Sequence, residues 1–372
     1  MHSDSTAGWS TARARLPAGF VRKALKDSAQ TIRQTFSNWQ WRGFEPILVD
    51  GTTVRSRPYG DIKQAFPPHT SGKSSHPYWC LTRAVVAICP ATGLALDCAI
   101  GSTKDSEQAL FARMLSGALW TKTLAVADRN FGVFSVVRAV VQADAGILVR
   151  MTGSRARKLA ADSNIKLCNG VDHQVLWSPS RHDQCPEESK PIAGRLIAIE
   201  MKRPGFRPVT LYLFTTVLDV KISAWDLAQL YGIRWQVELD LRYIKTELKL
   251  EVMECKSANM VCKTWLSGLI ACNVVRALMC AASATRGQPV AALSFTRTLR
   301  AVRAWLPNAR AKKAAKAWTQ LLTRVAGFTL PKRITPRPSE PRAIRYFKRD
   351  FPKLLGNRGQ ARQKLALLNL NS

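Results

Sequence analysis

The chain has 372 residues, 46% of them hydrophobic, and a formal net charge of +31 at pH 7. The hydrophobic share is ordinary for a globular protein, but the charge is too positive for most metabolic enzymes and favours a polyanionic partner, above all nucleic acid. An anionic membrane surface is the competing partner. No signal-peptide segment and no separate basic amphipathic helix favour it, so no membrane association is expected.

The first 45 residues hold seven lysines and arginines against three acids and predict a basic, helical lead-in, interrupted at Pro17. Nine cysteines are scattered without CxxC pairs, which favours reduced thiols and a cytoplasmic protein. The most apolar run, 265–282, is interrupted by Arg276. We therefore predict that it is a buried helix rather than a membrane span.

Two short apolar runs are each followed by an aspartate. The run 46–49 leads into Asp50, and the run 123–127 leads into Asp128. Each pattern predicts a buried strand that ends in a carboxylate. For Asp50 the alternative is an Asp-Gly turn. Asp97, inside another β-like run, competes as an active-site acid, but its mid-strand position favours an edge or outward-facing side chain.

The elements from 46 to 151 are predicted in the order strand, strand, strand, helix, strand, helix, strand. Their predicted ranges are 46–50, 80–90, 94–100, 104–119, 123–127, 133–143 and 146–151. An antiparallel meander that leads into a βαβα unit is the order of a ribonuclease H-like domain, an α/β fold with a mixed sheet and helices on both faces. Asp50 and Asp128 would converge only if the first and fourth strands are neighbours.

Residues 152–220 mix polar loops, including 154–164, with β-like runs, and they predict a β-rich insertion. Four residues of this region could ligate zinc, but they lack a compact ligand spacing: Cys168, His173, His182 and Cys185. Four aromatic residues are expected mostly in the core, although one could stack on an unpaired base: Trp177, Phe206, Tyr212 and Phe214.

The segment 223–250 predicts one long helix, opened by a capping box between Ser223 and Asp226. At about 100° per residue, one set of apolar side chains forms a continuous stripe. This stripe consists of Leu227, Leu230, Val237, Leu241, Ile244 and Leu248. A second row follows the edge of the stripe and consists of Tyr231, Arg234, Glu238 and Lys245. A carboxylate flanked by cations at the border of the core suits metal binding beside phosphates, although a solvated face is the commoner arrangement.

After a second buried helix at 264–282, the composition changes. Residues 286–372 hold twenty lysines and arginines against two acids, with aromatic residues interleaved. Such one-signed charge repels itself unless a polyanion neutralises it. This region is therefore predicted to contact nucleic acid through helices and an extended, proline-interrupted arm.

The motifs together resemble the DDE transposases of bacterial insertion sequences that carry the YREK signature. The resemblance rests on VDGTTV around Asp50, ADRNFG around Asp128 and the row from Tyr231 to Lys245. It implies a ribonuclease H-like catalytic domain with a β insertion. It also implies a catalytic, metal-binding triad of Asp50, Asp128 and Glu238, with Tyr231, Arg234 and Lys245 holding DNA phosphates.

The resemblance implies cut-and-paste DNA transposition by metal-dependent strand cleavage and strand transfer. Two Mg²⁺ ions per site would serve the reaction, with Mn²⁺ as a possible substitute. The implied partners are double-stranded DNA at the element ends and at the target, and a second copy of the chain in a synaptic homodimer. The implied location is the bacterial cytoplasm, in association with the nucleoid.

Three regions are expected: a DNA-binding lead-in at 1–45, the catalytic domain at 46–285, and a basic DNA-contact and dimerisation region at 286–372. The lead-in is shorter than in most members of the group, so recognition of the element ends is the function least supported by the sequence. Two alternatives stay open. One is an inactive or truncated transposase that binds DNA as a repressor, and the other is a nuclease that cuts DNA without strand transfer.

Overall fold

The structure, a computed structural model, describes most of the chain. The described residues are 6–36, 40–68, 78–180, 183, 190–201, 209–308, 314–330, 359–360 and 363. The predicted basic arm and its aromatic residues Tyr346, Phe347 and Phe351 lie outside these ranges, as do His182, Cys185 and Phe206.

The strands, in chain order, are β1 (Glu45–Ser56), β2 (Cys80–Ile88), β3 (Ala95–Ser102), β4 (Thr123–Ala127), β5 (Gly146–Arg150), β6 (Val171–Trp177), β7 (Ile192–Met201), β8 (Val209–Thr215) and β9 (Val252–Met253). The α-helices are α1 (Thr6–Arg15), α2 (Ala18–Phe36), α3 (Ile62–Ala65), α4 (Glu107–Met114), α5 (Phe134–Gln142), α6 (Gly153–Asp162), α7 (Ala224–Ile233), α8 (Trp235–Arg242), α9 (Ala258–Ala284), α10 (Phe295–Trp305) and α11 (Ala314–Ala326). Short 3₁₀ turns occupy Ala118–Trp120, Val290–Ala292 and Leu306–Asn308, and a π-helical turn occupies Tyr243–Glu247.

In the described ranges, the strands form one mixed sheet in the order β3-β2-β1-β4-β5-β8-β7-β6, and β9 pairs with the far end of β1. Strands β1, β4 and β5 are parallel to one another, whereas β2, β3, β6, β7 and β8 pair antiparallel. The mixed α/β sheet predicted from the sequence is thus confirmed. Strands β6, β7 and β8, which fall in the predicted insertion, extend the same sheet beyond β5.

Two apolar cores cover the two faces of the sheet. One packs alternate residues of β1 and β4 against α7, α8, α9, α10 and α11. The other packs the remaining residues of these strands against α4, α5 and α6. This division follows from the strand geometry, in which successive side chains point to opposite faces. Helix α2 contributes Val21 and Leu25 to the first core and Ala29 to the second.

The predicted interruption at Pro17 is confirmed, since α1 ends at Arg15 and α2 begins at Ala18. The buried ammonium of Lys263 on α9 donates to the carbonyls of Arg13, Ala14 and Leu16. These carbonyls have no partner inside a helix that ends there. Lys263 therefore ties the end of α1 to the long helix α9.

Helix α9 is also long and apolar enough to span a membrane, and it is the one such helix among the described residues. Of its most apolar window, 61% is buried inside the protein. Core helices of soluble proteins pass the same test of length and composition. The prediction of a buried helix over 264–282 therefore agrees with the structure, which extends that helix in both directions.

The first strand was predicted to end at Asp50, but it continues beyond this residue. Asp50-Gly51 does not form a turn. β1 continues to Ser56 because its antiparallel ladder with β2 runs unbroken from Leu48, opposite Ile88, to Ser56, opposite Cys80. The Asp-Gly pair is a turn signal in an isolated chain, but here β2 pairs with both residues, Asp50 opposite Val86 and Gly51 opposite Val85.

The central helix was predicted as one element but is interrupted. Helix α7 ends at Ile233, α8 ends at Arg242, and the π-helical turn ends at Glu247. At the interruption, the Arg234 N–H donates to the Tyr231 carbonyl and the Val237 N–H donates to the Arg234 carbonyl. These three-residue bonds tighten the helix beside Gly232, a residue that weakens helices.

One further prediction was wrong, and another is confirmed only for the position on the edge strand. Residues 153–162 form the helix α6 rather than a polar loop, because Thr152 accepts the Arg155 N–H as a helix cap and Ala156, Leu159 and Ala160 form a buried face. Asp97 does lie on the edge strand β3, but it does not face solvent. It is buried and pairs with Lys26 of α2 at 2.8 Å.

Candidate active site

The sheet order makes the strands of Asp50 and Asp128 neighbours. In the parallel ladder of β1 and β4, Val49 lies opposite Ala127. Asp50 and Asp128 are therefore the next residues along two strands whose backbones are about 4.8 Å apart. This is the adjacency that convergence of the two acids requires.

Both aspartates face the layer of helices that contains α8. Leu48 and Val126, each two residues earlier on its strand, are buried in the core formed with α7, α8 and α9. Side chains two residues apart share a face of the sheet. Glu238, on α8, lies on that side as well, half-buried at the border of the core.

Arg234 connects two of the three acids. Its Nη2 donates to Glu238 Oε1 at 2.8 Å, and its Nη1 lies 3.6 Å from Asp50 Oδ2. The guanidinium therefore lies between a carboxylate of β1 and a carboxylate one helical turn away on α8. Arg234 is also the residue at which the helix is interrupted, between α7 and α8.

The surroundings of Asp50 disfavour its ionised form. Burial, and to a smaller extent the negative charges of Asp128 and Glu238, raise the pKa of Asp50 to about 6. A hydrogen bond of 2.8 Å from the Gly51 N–H and the charge of Arg234 oppose this rise. The site thus concentrates more negative charge than its own cation balances.

Tyr231 lies beside the same group of charges. Burial raises the pKa of its phenol to about 12, and the nearby charge of Asp128 acts in the same direction, while Arg234 and Arg150 act against it. The guanidinium carbon of Arg234 is 5.9 Å from the centre of the Tyr231 ring. Tyr231 therefore stays a neutral hydrogen-bond donor at physiological pH.

Lys245 is not joined to this group. It lies in the π-helical turn, where its carbonyl accepts the N–H groups of Leu250 and Glu251. Its side chain is half-buried, and its ammonium forms no ion pair with another described residue. The structure thus brings together Asp50, Asp128, Glu238, Arg234 and Tyr231, whereas Lys245 lies about two turns beyond Glu238 along the helical segment.

The start of α4 clamps the turn that follows Asp128. The Asn130 side chain donates to Glu107 Oε2 at 2.6 Å, and Gln108 donates to the Asn130 carbonyl at 2.6 Å. The Asn130 N–H in turn donates to Asp128 Oδ1 at 2.8 Å. Asp128 is thereby held by a turn that is itself held by α4.

The same Glu107 explains the glycine after Asp50. A Cβ on Gly51 would lie 2.2 Å from the Glu107 carboxyl carbon, far inside contact distance. Gly51 faces α4, while Asp50 faces α8, because they are consecutive residues of a strand. Position 51 is therefore a glycine because strand β1 passes too close to Glu107 for a side chain.

A buried ion pair anchors α8 to α9. Asp240, two residues after Glu238, accepts a short hydrogen bond from Arg276, and both side chains are almost completely buried. The Arg276 guanidinium packs 5.1 Å from the centre of the Phe295 ring and contacts the position of Gly93. This pair determines where α8, and with it Glu238, lies against the core.

In the described part of the chain, no three Asp, Glu, His or Cys side chains form a metal site as they stand. Of the four residues considered as possible zinc ligands, His182 and Cys185 lie outside the described residues, and Cys168 is an exposed, free thiol. The three acids nevertheless suit a hard cation such as Mg²⁺, which prefers carboxylate oxygens. The pKa of Asp50 is raised mainly by burial, and the charges of Asp128 and Glu238 add to that effect.

Sequence reasoning missed the residues that support the site, namely Glu107, Gln108, Asn130, Asp240 and Arg276. Only Arg276 carried a signal, because a charge inside an apolar helix predicts a buried partner. Residues of α4 and α8 meet these partners across the fold, which no local pattern shows.

Comparisons with known proteins found a matching family model and several similar proteins. A family model described as "Transposase DDE domain" matches residues 41–274. The chain is 24% identical over 272 residues to the transposase InsG for insertion sequence element IS4 of Escherichia coli (strain K12), which covers 71% of this chain. The chain spans 59% of the length of that relative.

Among solved structures, a cryo-EM structure of the piggyBac transposase synaptic complex with hairpin DNA aligns with 82% of this chain and 61% of that chain. The sequence identity is 10% and the TM-score is 0.42.

Proposed function

This chain belongs to the transposase DDE domain family, and we propose that it cleaves DNA strands at the ends of an insertion sequence and transfers them to target DNA. The proposed catalytic residues are Asp50, Asp128 and Glu238. Tyr231, Arg234 and Lys245 form the proposed contacts to DNA phosphates, as in the YREK signature.

The observation that carries this proposal is the convergence of distant acids on one face of the sheet. Asp50 and Asp128 extend from neighbouring strands, and Arg234 links Asp50 to Glu238 on α8. Nearly 190 residues separate Asp50 from Glu238 along the chain. The charges of Asp128 and Glu238 both raise the pKa of Asp50, which supports the proposal that the three acids act together.

The residue types suit phosphodiester chemistry. The anionic phosphodiester repels nucleophiles, so a site must orient it and offset its charge. Arg234 can grip a phosphate through two donors, Lys245 can act as a point charge, and neutral Tyr231 can donate a hydrogen bond. In the proposed reaction, water attacks the phosphorus at the element end and releases a 3′-hydroxyl. That 3′-hydroxyl then attacks a phosphodiester of the target and expels its 3′-oxygen.

Asp50, Asp128 and Glu238 would hold the two Mg²⁺ ions, for which Mn²⁺ could substitute. When bound, such ions activate the attacking oxygen and stabilise the leaving oxygen. The protein residues fix where the acids lie: Asn130 holds Asp128, the Gly51 N–H holds Asp50, and the Asp240–Arg276 pair holds α8.

The proposal assigns the wider chain as follows. Residues 46–285 form a ribonuclease H-like catalytic domain whose insertion includes β6, β7 and β8. Residues 1–45 and 286–372 contact DNA, and the latter region also joins two copies in a synaptic homodimer. A cytoplasmic, nucleoid-associated enzyme is consistent with the net charge of +31.

The test uses the purified full chain, Mg²⁺ and a labelled duplex that carries the ends flanking the gene. Strand products are resolved on a denaturing gel for the wild type, Glu238→Gln and the matched control Glu251→Gln, an exposed acid on the same segment. We expect nicked or joined strands from the wild type and the control but none from Glu238→Gln. Equal product from all three proteins would contradict the assignment of the site.

A second candidate function is DNA binding without catalysis, as in a repressor. The observation that favours it is that the three acids do not form a ready metal site among the described residues. In the same experiment it would give a retarded DNA complex with no metal-dependent product. A nuclease without strand transfer would give cut but never joined strands.

A further inference from the structure

We propose that Arg234 is an internal counter-ion that makes binding of divalent metal at the three acids depend on bound DNA. The inference rests on the proposed function and adds a coupling between its two ligands. In the protein alone, the positively charged guanidinium lies between Asp50 and Glu238 and neutralises them in place of a metal ion. DNA then draws it away and leaves the carboxylates to the metal.

The contacts show that Arg234 is committed to the acids. One guanidinium nitrogen donates to Glu238 at 2.8 Å and the other lies 3.6 Å from Asp50. The side chain is 14% exposed, so water screens these contacts only in part. Arginine stays protonated at any pH at which the protein folds. Its charge can therefore leave the carboxylates only if the side chain moves.

A metal ion that binds Asp50 and Glu238 must take the same carboxylate oxygens. Arg234 would then be a largely buried cation without its anions, which is costly. The Tyr231 side chain, whose ring centre lies 5.9 Å from the guanidinium carbon, offers a neutral hydroxyl and a cation–π contact but no negative charge. Within the described residues, Asp50 and Glu238 are the two acids that ion-pair with Arg234. Metal binding to the protein alone should therefore be weak.

A DNA phosphate resolves this conflict. It is an anion that a guanidinium can bind through two parallel hydrogen bonds. With Arg234 on the phosphate, Asp50 and Glu238 are free for metal. DNA thus favours metal, and by thermodynamic linkage metal must favour DNA by the same factor. The coupling would keep the site from binding metal in a reactive form before a strand is present.

The test is a calorimetric titration of Mn²⁺ into the full chain, with and without a short duplex, after subtraction of Mn²⁺ binding to the duplex alone. For the wild type we expect the duplex to raise Mn²⁺ affinity about tenfold, a typical coupling between two sites. For Arg234→Gln, which keeps the length of the side chain, we expect Mn²⁺ affinity without DNA to rise about tenfold and the effect of DNA to disappear.

Two controls separate the possible failures. Arg157→Gln removes an exposed arginine of α6, outside the two proposed DNA-contacting regions, and should behave as the wild type, which excludes an effect of net charge alone. Glu238→Gln should lose the Mn²⁺ site. If it keeps the wild-type isotherm, the metal does not bind at these acids, and both the proposed site and this inference fail. If Glu238→Gln loses the site but Arg234→Gln binds Mn²⁺ no tighter than the wild type, only the counter-ion inference is overturned.

Discussion

Helix α8 carries two arginine–carboxylate groups only two residues apart, and they are built in opposite ways. At Asp240, the partner Arg276 is 6% exposed and the acid is fully buried, with aromatic rings around the guanidinium. At Glu238, Arg234 is 14% exposed, and it shares its charge with Asp50 at 17% and Glu238 at 38%. The pair of Asp240 and Arg276 is sealed in the core and is called the sealed pair below. Arg234 with Asp50, Asp128 and Glu238 opens to solvent and is called the open group.

The difference separates structure from function within one helix. Asp240 has no second cation as a partner among the described residues, only a hydrogen bond of 3.3 Å from the Gln236 side chain, so loss of Arg276 should affect folding. The open group has three acids and one arginine, so its negative charge is not balanced. Contacts among its residues should therefore be replaceable by contacts to ligands, and its ionised acids should lower the stability of the fold. Substitutions in the two groups should therefore change stability in opposite directions.

The largest expected effect is in the sealed pair. Arg276→Met leaves Asp240 as a buried, unpaired carboxylate and should lower the free energy of unfolding by about 3–5 kcal/mol. Urea denaturation measures this change. The double variant Asp240→Leu, Arg276→Met should recover most of the loss, since hydrophobic replacement of a whole buried pair is often tolerated. A single variant as stable as the wild type would show that the two groups do not differ.

The open group should respond in the opposite direction. The pKa of Asp50 is raised from 3.8 to about 6 in the folded protein, so between these values the folded state binds more protons than the unfolded state. Stability contributed by this proton is therefore present at low pH and is lost as pH rises from about 4 to about 6. Asp50→Asn cannot ionise and so avoids this decrease in stability. It should stabilise the protein by about 2–3 kcal/mol at neutral pH.

Parallel unfolding curves of the wild type and Asp50→Asn over this pH range check the prediction. The stability difference between the two proteins should grow with pH and level off above pH 6, because ionisation of Asp50 is then complete. A constant difference across the range would mean that Asp50 is not electrostatically crowded. Asp226→Asn alters a carboxylate whose pKa is lowered by Ser223, so the stability that this variant loses should be constant from about pH 4 to about pH 6 and should shrink only as pH falls below about 4.

A smaller effect tests the support of the open group. Gly51→Ala places a methyl group against the Glu107 carboxylate, and the displaced Glu107 loses its bond to Asn130. Because Glu107 is a flexible side chain, the cost should be about 1–2 kcal/mol. Thermal unfolding should show partial rescue in Gly51→Ala, Glu107→Ala. If the double variant is no more stable than Gly51→Ala, the contact between position 51 and Glu107 is not the cause of the lost stability.

The smallest effect lies at the start of α7, outside both groups. Ser223→Ala removes the capping box with Asp226 and should cost about 1 kcal/mol, measured by urea denaturation. Mn²⁺ binding and its dependence on DNA should stay as in the wild type. A change in that coupling would show that the position of α7 controls Arg234.

The sequence predicted the open group better than the sealed one. The capping box and the buried stripe from Leu227 to Ile244 are confirmed, because they follow from spacing within one helix. The row from Tyr231 to Glu238 lies at the border of the core for the same reason. The interruption at Arg234 was not predicted, since it combines a weak position at Gly232 with contacts to β1 from the other end of the chain.

Contacts between distant segments set the limit of prediction. The continuation of β1 past Asp50 depends on β2, and the burial of Asp97 depends on Lys26, a residue of another helix. The pairing of Asp240 with Arg276 joins two helices whose relative position no local pattern contains. The predicted roles of Asp50, Asp128 and Glu238 remain proposals that only chemistry can test.

The most direct measurement compares Glu238→Gln with Asp240→Asn for both thermal unfolding and Mg²⁺-dependent strand cleavage. The account predicts that Glu238→Gln is at least as stable as the wild type and forms no product. It predicts that Asp240→Asn unfolds at a lower temperature but forms product at temperatures where it is folded. Product from Glu238→Gln, or a folded but inactive Asp240→Asn, would contradict the separation of the two groups.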